Sequence, residues 1–233
     1  MKLCIVVATP FECEHIVTHM ENCTEHSPYR KDGFLFGTPV SCIVTGIGMV
    51  NTAYVLAKEL RNESFDRIIN IGIGGSFDRS LPLGSVVEII EDNYSEMGAE
   101  EGGVFLGLEL IGFPSCVVDG KKYYNTFLNP TPSNADLPKV TAITVNKCHG
   151  NASSIEAVWN EWQKTIETME SAAFFQVTTM EKISFWSFRG ISNYVEHRNR
   201  NNWRVREAAL NVQIFLLQFL KNAIRGQALR AHS

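Results

Sequence analysis

The apolar positions along this chain switch between two periods. Residues 3–8 form a short unbroken apolar run, the pattern of a strand covered on both faces, and residues 12–20 can start a helix after Pro10. Residues 34–36 and 39–45 read as paired strands. After Gly46-Ile47-Gly48, the residues Val50, Ala53, Leu56, Ala57 and Leu60 fall at helical spacing, and 67–71 returns to a strand. Further strands are predicted over 85–90 and 140–145. Between them lies a Gly-, Pro- and Asn-rich region, 98–138, which shows no assignable period and is a candidate pocket wall. Residues 154–164 and 169–180 read as helices and 182–188 as a strand. A long C-terminal helix carries Val205, Ala208, Ala209, Val212, Phe215, Phe219 and Leu220 on one stripe, with fraying expected after Gly226.

Strands alternating with helices, without internal repeats or low-complexity linkers, predict an α/β layered architecture. With 233 residues and 45% of them hydrophobic, the chain has enough apolar material for one core and no surplus for a second, so residues 1–233 are expected to form one domain. A formal net charge of -4 gives no global attraction to a phosphate backbone. A small molecule is therefore a better expectation than nucleic acid. No stretch approaches the ~20 apolar residues that span a bilayer, and Pro10, Glu12 and Glu14 break the first apolar run before any signal-peptide cleavage site. Six cysteines (Cys4, Cys13, Cys23, Cys42, Cys116, Cys148) are scattered without a C-x-x-C pair, which argues against a zinc knuckle, a redox motif or a disulfide framework. A reducing, cytoplasmic location is expected.

Several short constellations could carry chemistry. In Ala8-Thr9-Pro10-Phe11-Glu12 a carboxylate sits just past the first strand, at the edge of an open α/β sheet where ligands collect. Glu12 is either a base there or a helix-start glutamate set against the macrodipole. Two glycine-rich turns, Gly46-Ile47-Gly48 and Gly72-Ile73-Gly74-Gly75, let backbone approach a sugar or phosphate, or are simply tight turns. Neither is a dinucleotide fingerprint, because Asn51 and Phe77 stand where a third glycine belongs. In Met169-Glu170-Ser171-Ala172-Ala173 a glutamate lies among small and apolar residues; a pair of sugar hydroxyls would suit it, as would partial exposure at a helix start. Arg189-Gly190-Ile191-Ser192-Asn193 closes a predicted strand, where Asn193 either reads a purine edge or turns the chain. His15 and His19 are four apart, but Ile16 takes the place of the glutamate in H-E-x-x-H, and no G-x-S-x-G elbow is present. No metal or organic cofactor is called for.

Taken in order, these pieces resemble the nucleoside phosphorylase and nucleosidase superfamily, over most of the chain. The resemblance implies a three-layer α/β fold with a central mixed, partly barrel-like sheet flanked by helices, and a homodimer with its pocket near the interface. It also implies roles: Glu12 as the base that activates water, Met169 against the ribose, Glu170 holding the 2′ and 3′ hydroxyls, Arg189 near the attacking water, and Ile73, Gly74 and Ser192 around the substrate. In adenine-specific members the residue matching Asn193 is an aspartate. A 6-oxopurine offers acceptors on that edge, which an amide can satisfy and a carboxylate cannot, so Asn193 predicts hypoxanthine over adenine. Ile73 likewise replaces a serine of the adenine enzymes.

The string Ile191-Ser192-Asn193-Tyr194-Val195-Glu196-x-Arg198-Asn199-Arg200-x-x-Trp203 is similar to the futalosine hydrolase branch, whose substrate is a hypoxanthine nucleoside with a benzoate on its 5′ side. Arg198 or Arg200 is then a candidate partner for that benzoate, with a solvated basic stretch as the alternative. The competing expectations are an adenine-releasing nucleosidase, acting on methylthioadenosine, S-adenosylhomocysteine or aminodeoxyfutalosine, and a non-catalytic nucleoside-binding relative. A phosphorylase fits less well, because no arginine near Glu12 matches the phosphate-binding one of those enzymes.

Overall fold

The computed structural model describes the backbone of residues 1–230 and the side chains of residues 1–224. The first apolar run is strand β1 (Leu3–Val7), buried at every position. Its residues alternate between two cores: Cys4 and Val6 pack on one side of the sheet, Leu3, Ile5 and Val7 on the other. This is the period-2 geometry of a strand, and burial on both faces explains why the run contains no polar residue.

Strand β1 lies parallel between β4 (Thr38–Val44) and β5 (Arg67–Ser76). From β4 an open wing continues through β3 (Arg30–Leu35) to β2 (Glu21–Ser27). On its other side β5 enters a closed ring. It pairs with β14 (Phe185–Tyr194), β14 with β6 (Val86–Tyr94), β6 with β12 (Lys139–Thr144), β12 with β13 (Ile166–Thr168), and β13 with β5 again. The central mixed sheet is thus partly a five-strand barrel, as the resemblance implies.

Helices α2 (Met49–Asn62) and α4 (Ser171–Met180) cover one face, and α1 (Glu14–Thr18) and α5 (Val205–Arg230) the other; α3 is Ala152–Trp162. Helix α4 buries Ala172, Ala173, Phe174, Phe175 and Val177, so it is apolar nearly all round and sits within the core.

The differences from the sequence reading have physical causes. The segment 12–20 holds only the short α1, preceded by a 3-10 turn over Pro10–Glu12. Strand β2 has no counterpart among the predicted elements: six of its seven residues are exposed, so it has no apolar pattern. Val50, placed on the apolar stripe of α2, is 80% exposed, whereas Leu56 is buried. Helix α4 starts at Ser171, not 169, because β13 occupies 166–168. Strand β14 starts three residues later than expected and runs on to Tyr194, so Arg189, Ser192 and Asn193 lie within the strand, not beyond it.

Region 98–138 forms two short hairpins, β7 (Gly98–Glu101) with β8 (Val104–Gly107) and β9 (Cys116–Val118) with β10 (Lys121–Tyr123), then β11 (Thr126–Leu128) on β6. Strands of three or four residues are too short to reveal a period. Helix α5 continues past Gly226 to Arg230, where the sequence predicts fraying; residues 231–233 of that tail lie outside the described residues.

Candidate active site

The ends of β1, β5, β13 and β14 converge on a cavity of about 350 Å³, within the size range of small-molecule sites. Its lining brings together Glu12, Ile73, Gly74, Met169, Glu170, Ser192, Asn193 and Arg198. These residues span nearly the whole chain, and the convergence follows from the topology: β1, β5 and β14 run parallel, so their carboxyl ends open on one edge.

Glu12 is buried, yet it reaches the cavity from the 3-10 turn after β1. Its Oε2 accepts hydrogen bonds from the Thr9 amide (2.9 Å) and the Thr9 hydroxyl (3.0 Å), while Oε1 accepts the Ile73 amide (3.3 Å). Proline at the start of this turn and Thr9 at its cap therefore fix the carboxylate in place. The space it occupies exists because residue 72 is glycine: a Cβ there would lie 2.8 Å from Oε1.

Arg189 does not line the cavity. It is fully buried behind Glu12, where it donates to Asn70 Oδ1, to Ser171 Oγ (2.7 Å) and to the Phe188 carbonyl (2.8 Å). Its Nε has no partner among the described residues. Burial pulls the Arg189 pKa down, opposed by the charges of Glu170, Glu12 and Asp92. Asp92 is the third carboxylate of this group, and burial pushes it up to about 7 despite hydrogen bonds from Thr144 and the Asn93 amide.

Glu170 precedes α4 and accepts the Gly48 amide (3.0 Å), which ties the Gly46-Ile47-Gly48 turn to the cavity wall. Gly48 adopts φ 93°, a conformation that L side chains rarely take. Burial raises the Glu170 carboxyl above the usual glutamate range, with the Gly48 N–H and the Arg189 charge opposing. Met169 stands beside it in the lining.

At Gly75 the floor is glycine with a side chain on either hand. Gly75 is the register partner of Asn193 in β14 and of Glu167 in β13. The Asn193 amide accepts the Ser192 hydroxyl (2.8 Å) and donates to the Tyr194 carbonyl (3.0 Å), while Ser192 also reaches the Gly74 carbonyl (3.1 Å). Glu167 is buried and pairs with His149, whose amide it accepts at 3.0 Å. No sequence pattern marks either Glu167 or His149: β13 is three residues long and His149 lies in a polar loop.

The two candidate arginines separate. Arg198 lines the cavity, its guanidinium 4.9 Å from the centre of the Trp203 ring, which lines it too. Arg200 belongs to a different surface with Arg204 and Arg206. None of residues 98–138 reaches this cavity; they form a separate groove instead, so the candidate pocket wall is not there. His15 on α1 and His19, which caps its end, pack against each other with ring centres 4.5 Å apart, and neither is in the lining. Among the described residues no group of three or more His, Cys, Asp and Glu side chains is arranged to hold a metal, and no helix is long and apolar enough to cross a membrane.

A sheet closed into a partial barrel, with a carboxylate cavity at its strand ends, defines a class within the layered α/β proteins. The chain belongs to the phosphorylase superfamily, whose family model matches residues 2–221. Among individual proteins it is 27% identical to the futalosine hydrolase of Thermus thermophilus over 180 residues, covering 75% of this chain and 78% of that one. It is 25% identical to the futalosine hydrolase of Streptomyces coelicolor, covering 71% and 72%. The fold matches a solved 5′-methylthioadenosine/S-adenosylhomocysteine nucleosidase of Streptococcus pneumoniae with TM-score 0.78 and 21% identity, over 95% of this chain and 99% of the other.

Proposed function

We propose that this chain hydrolyses the N-glycosidic bond of futalosine, releasing hypoxanthine and dehypoxanthine futalosine, a step of menaquinone biosynthesis. The observation that carries the reading is one cavity lined by Glu12, Glu170 and Asn193 together. Similarity to futalosine hydrolases over about three quarters of the chain supports the choice of substrate.

Glu12 takes a proton from a water molecule as its oxygen bonds to the anomeric carbon. The bond from that carbon to the purine nitrogen breaks, its electron pair stays on the purine, and the base leaves with a proton from a second water, whose hydroxide is neutralised by the proton that Glu12 then gives up. The ribose passes through an oxocarbenium-like state, whose positive charge the Glu12 and Glu170 carboxylates stabilise. Glu170 keeps one oxygen on the Gly48 amide and accepts from the 2′ and 3′ hydroxyls, with Met169 against the sugar. Arg189 acts from behind, without reaching the water: its charge balances the carboxylates, and its Nε lies on the same side of Gly72 as Glu12. Asn193 donates to the hypoxanthine edge. Ile73, Gly74 and Ser192 form the floor, and Arg198 meets the benzoate.

The exposed Ile47, Val50 and Tyr54 at the cavity mouth and on α2 support a homodimer, and six free cysteines support a reducing, cytoplasmic setting. The reading is tested by incubating the protein without phosphate with futalosine, aminodeoxyfutalosine, inosine and methylthioadenosine and measuring free base. Hypoxanthine from futalosine supports it; adenine from the amino substrates, with none from futalosine, contradicts it.

A further inference from the structure

The cavity contains a couple that the mechanism above does not use. The side chains of Glu167 and His149 are 4% and 11% exposed, and both line the cavity. Glu167 accepts the His149 amide through Oε1 and meets the imidazole Nδ1 through Oε2. An ionised carboxylate can only accept, so the proton of the second contact belongs to Nδ1. One contact holds the backbone of His149 and the other its ring, and with the proton on Nδ1 the neutral ring keeps a lone pair on Nε2. Nε2 has no hydrogen-bond partner among the described residues, and His149 is part of the cavity lining.

Across the Gly75 floor stands the Asn193 amide, because Gly75 is the register partner of both Glu167 and Asn193. A flat ring lying over Gly75 meets an amide on one side and an imidazole acceptor on the other. A 6-oxopurine carries a hydrogen on N1, beside its oxygen; a 6-aminopurine carries a lone pair on N1.

We propose that the His149–Glu167 couple selects the base, His149 Nε2 accepting the N1–H of a 6-oxopurine while Glu167 positions the ring. A 6-aminopurine would set lone pair against lone pair at the same place, which a buried site rejects. The inference rests on the reading of this cavity as a nucleoside site. It adds to that reading a second selecting element on a different strand from Asn193.

The test compares kcat/KM for futalosine and aminodeoxyfutalosine in the wild type and in His149→Ala, His149→Gln and Glu167→Gln, with calorimetric binding of free hypoxanthine and adenine. In His149→Ala the value for futalosine is expected to fall roughly 10- to 100-fold, the scale of one buried hydrogen bond, while that for the amino substrate changes less than about threefold. In Glu167→Gln the amide can donate to Nδ1, which moves the ring proton to Nε2, so the ratio shifts toward the amino substrate. His149→Gln, which retains an acceptor, restores part of the preference.

A role in folding alone would lower both substrates equally and leave the ratio unchanged; that result, with hypoxanthine still released by the wild type, overturns the couple and spares the functional reading. If the wild type cleaves neither nucleoside, the functional reading falls, and the couple is then judged on free bases: a hypoxanthine preference lost in His149→Ala supports it, and equal binding of both bases, or of neither, overturns it.

Discussion

Glu12 and Arg189 converge, without pairing, over a residue that has no side chain: the point where a Gly72 Cβ would stand is 2.8 Å from Glu12 Oε1 and 3.6 Å from Arg189 Nε. The carboxylate is further tied to Thr9 and to the Ile73 amide, and the guanidinium to Asn70 and Ser171. Neither group can retreat without losing a buried partner. Gly72→Ala is therefore expected to displace Glu12, lowering kcat by roughly 100-fold or more, the scale of a misplaced base, with a smaller effect on the binding of free hypoxanthine. A variant with unchanged kcat would show that Glu12 is not held as described.

Glu170 yields a pH prediction. Its carboxyl titrates above the usual glutamate range because the half-buried side chain is largely desolvated, and only the ionised form accepts from both sugar hydroxyls. As pH falls, kcat/KM should decline at a higher pH than an ordinary glutamate would produce. Glu170→Gln should lose roughly 100-fold in kcat/KM and lose that limb of the pH profile. An unchanged acid limb in the variant would assign it to another group.

Asp92 affects stability, with the opposite sign from a salt-bridged carboxylate. Its folded pKa is raised from 3.8 to about 7, so between these values the folded chain holds a proton that the unfolded chain has lost. The Asp92 contribution to stability is present at low pH and declines as pH rises from about 4 to 7. Denaturant titrations should show this slope reduced in Asp92→Asn; the same slope in both proteins would remove the assignment.

Much of the cavity was legible in the sequence. Glu12, Gly74 and Asn193 come from motifs that the sequence places after strands, Met169 and Glu170 from one at a helix start, and Ile73, Ser192 and Arg198 from the family resemblance; all of them line one cavity. Glu12 is visible because the apolar strand before it points to the polar residue that follows, whereas Ile73, Gly74, Ser192 and Asn193 lie inside β5 and β14, which run on past the apolar residues that mark them in the sequence. Arg189 was legible as a residue but not in its setting, since only the full length of β14 shows it inside a strand and buried. Glu167 had no signal, because a three-residue strand between two helices shows no period; His149 lies in the segment 145–151, which the sequence could set near the base without naming a residue, and the pairing of the two spans 18 residues. The exposed strand β2 escaped for the complementary reason, because without a buried face there is no alternation to detect.

Arg198 and Arg200 make a matched pair of controls. Arg198 lines the cavity beside Trp203, whereas Arg200 lines only an adjoining depression that shares Trp203 and Val205 with it. Arg198→Ala should raise KM for futalosine by about fivefold, the effect of a solvent-exposed ion pair of up to ~1 kcal/mol, and leave KM for inosine, which lacks the benzoate, unchanged. Arg200→Ala should alter neither. Equal effects on both substrates would place the benzoate elsewhere.

The central claim, water attacking the anomeric carbon under Glu12, is tested most directly by isotope transfer. In phosphate-free buffer made with oxygen-18 water, the wild type should convert futalosine to dehypoxanthine futalosine carrying one heavy oxygen at the anomeric position, with unlabelled hypoxanthine, and Glu12→Gln should slow this by roughly 100-fold or more. Hypoxanthine release that requires phosphate, or a sugar product without label when isolated promptly, would contradict it.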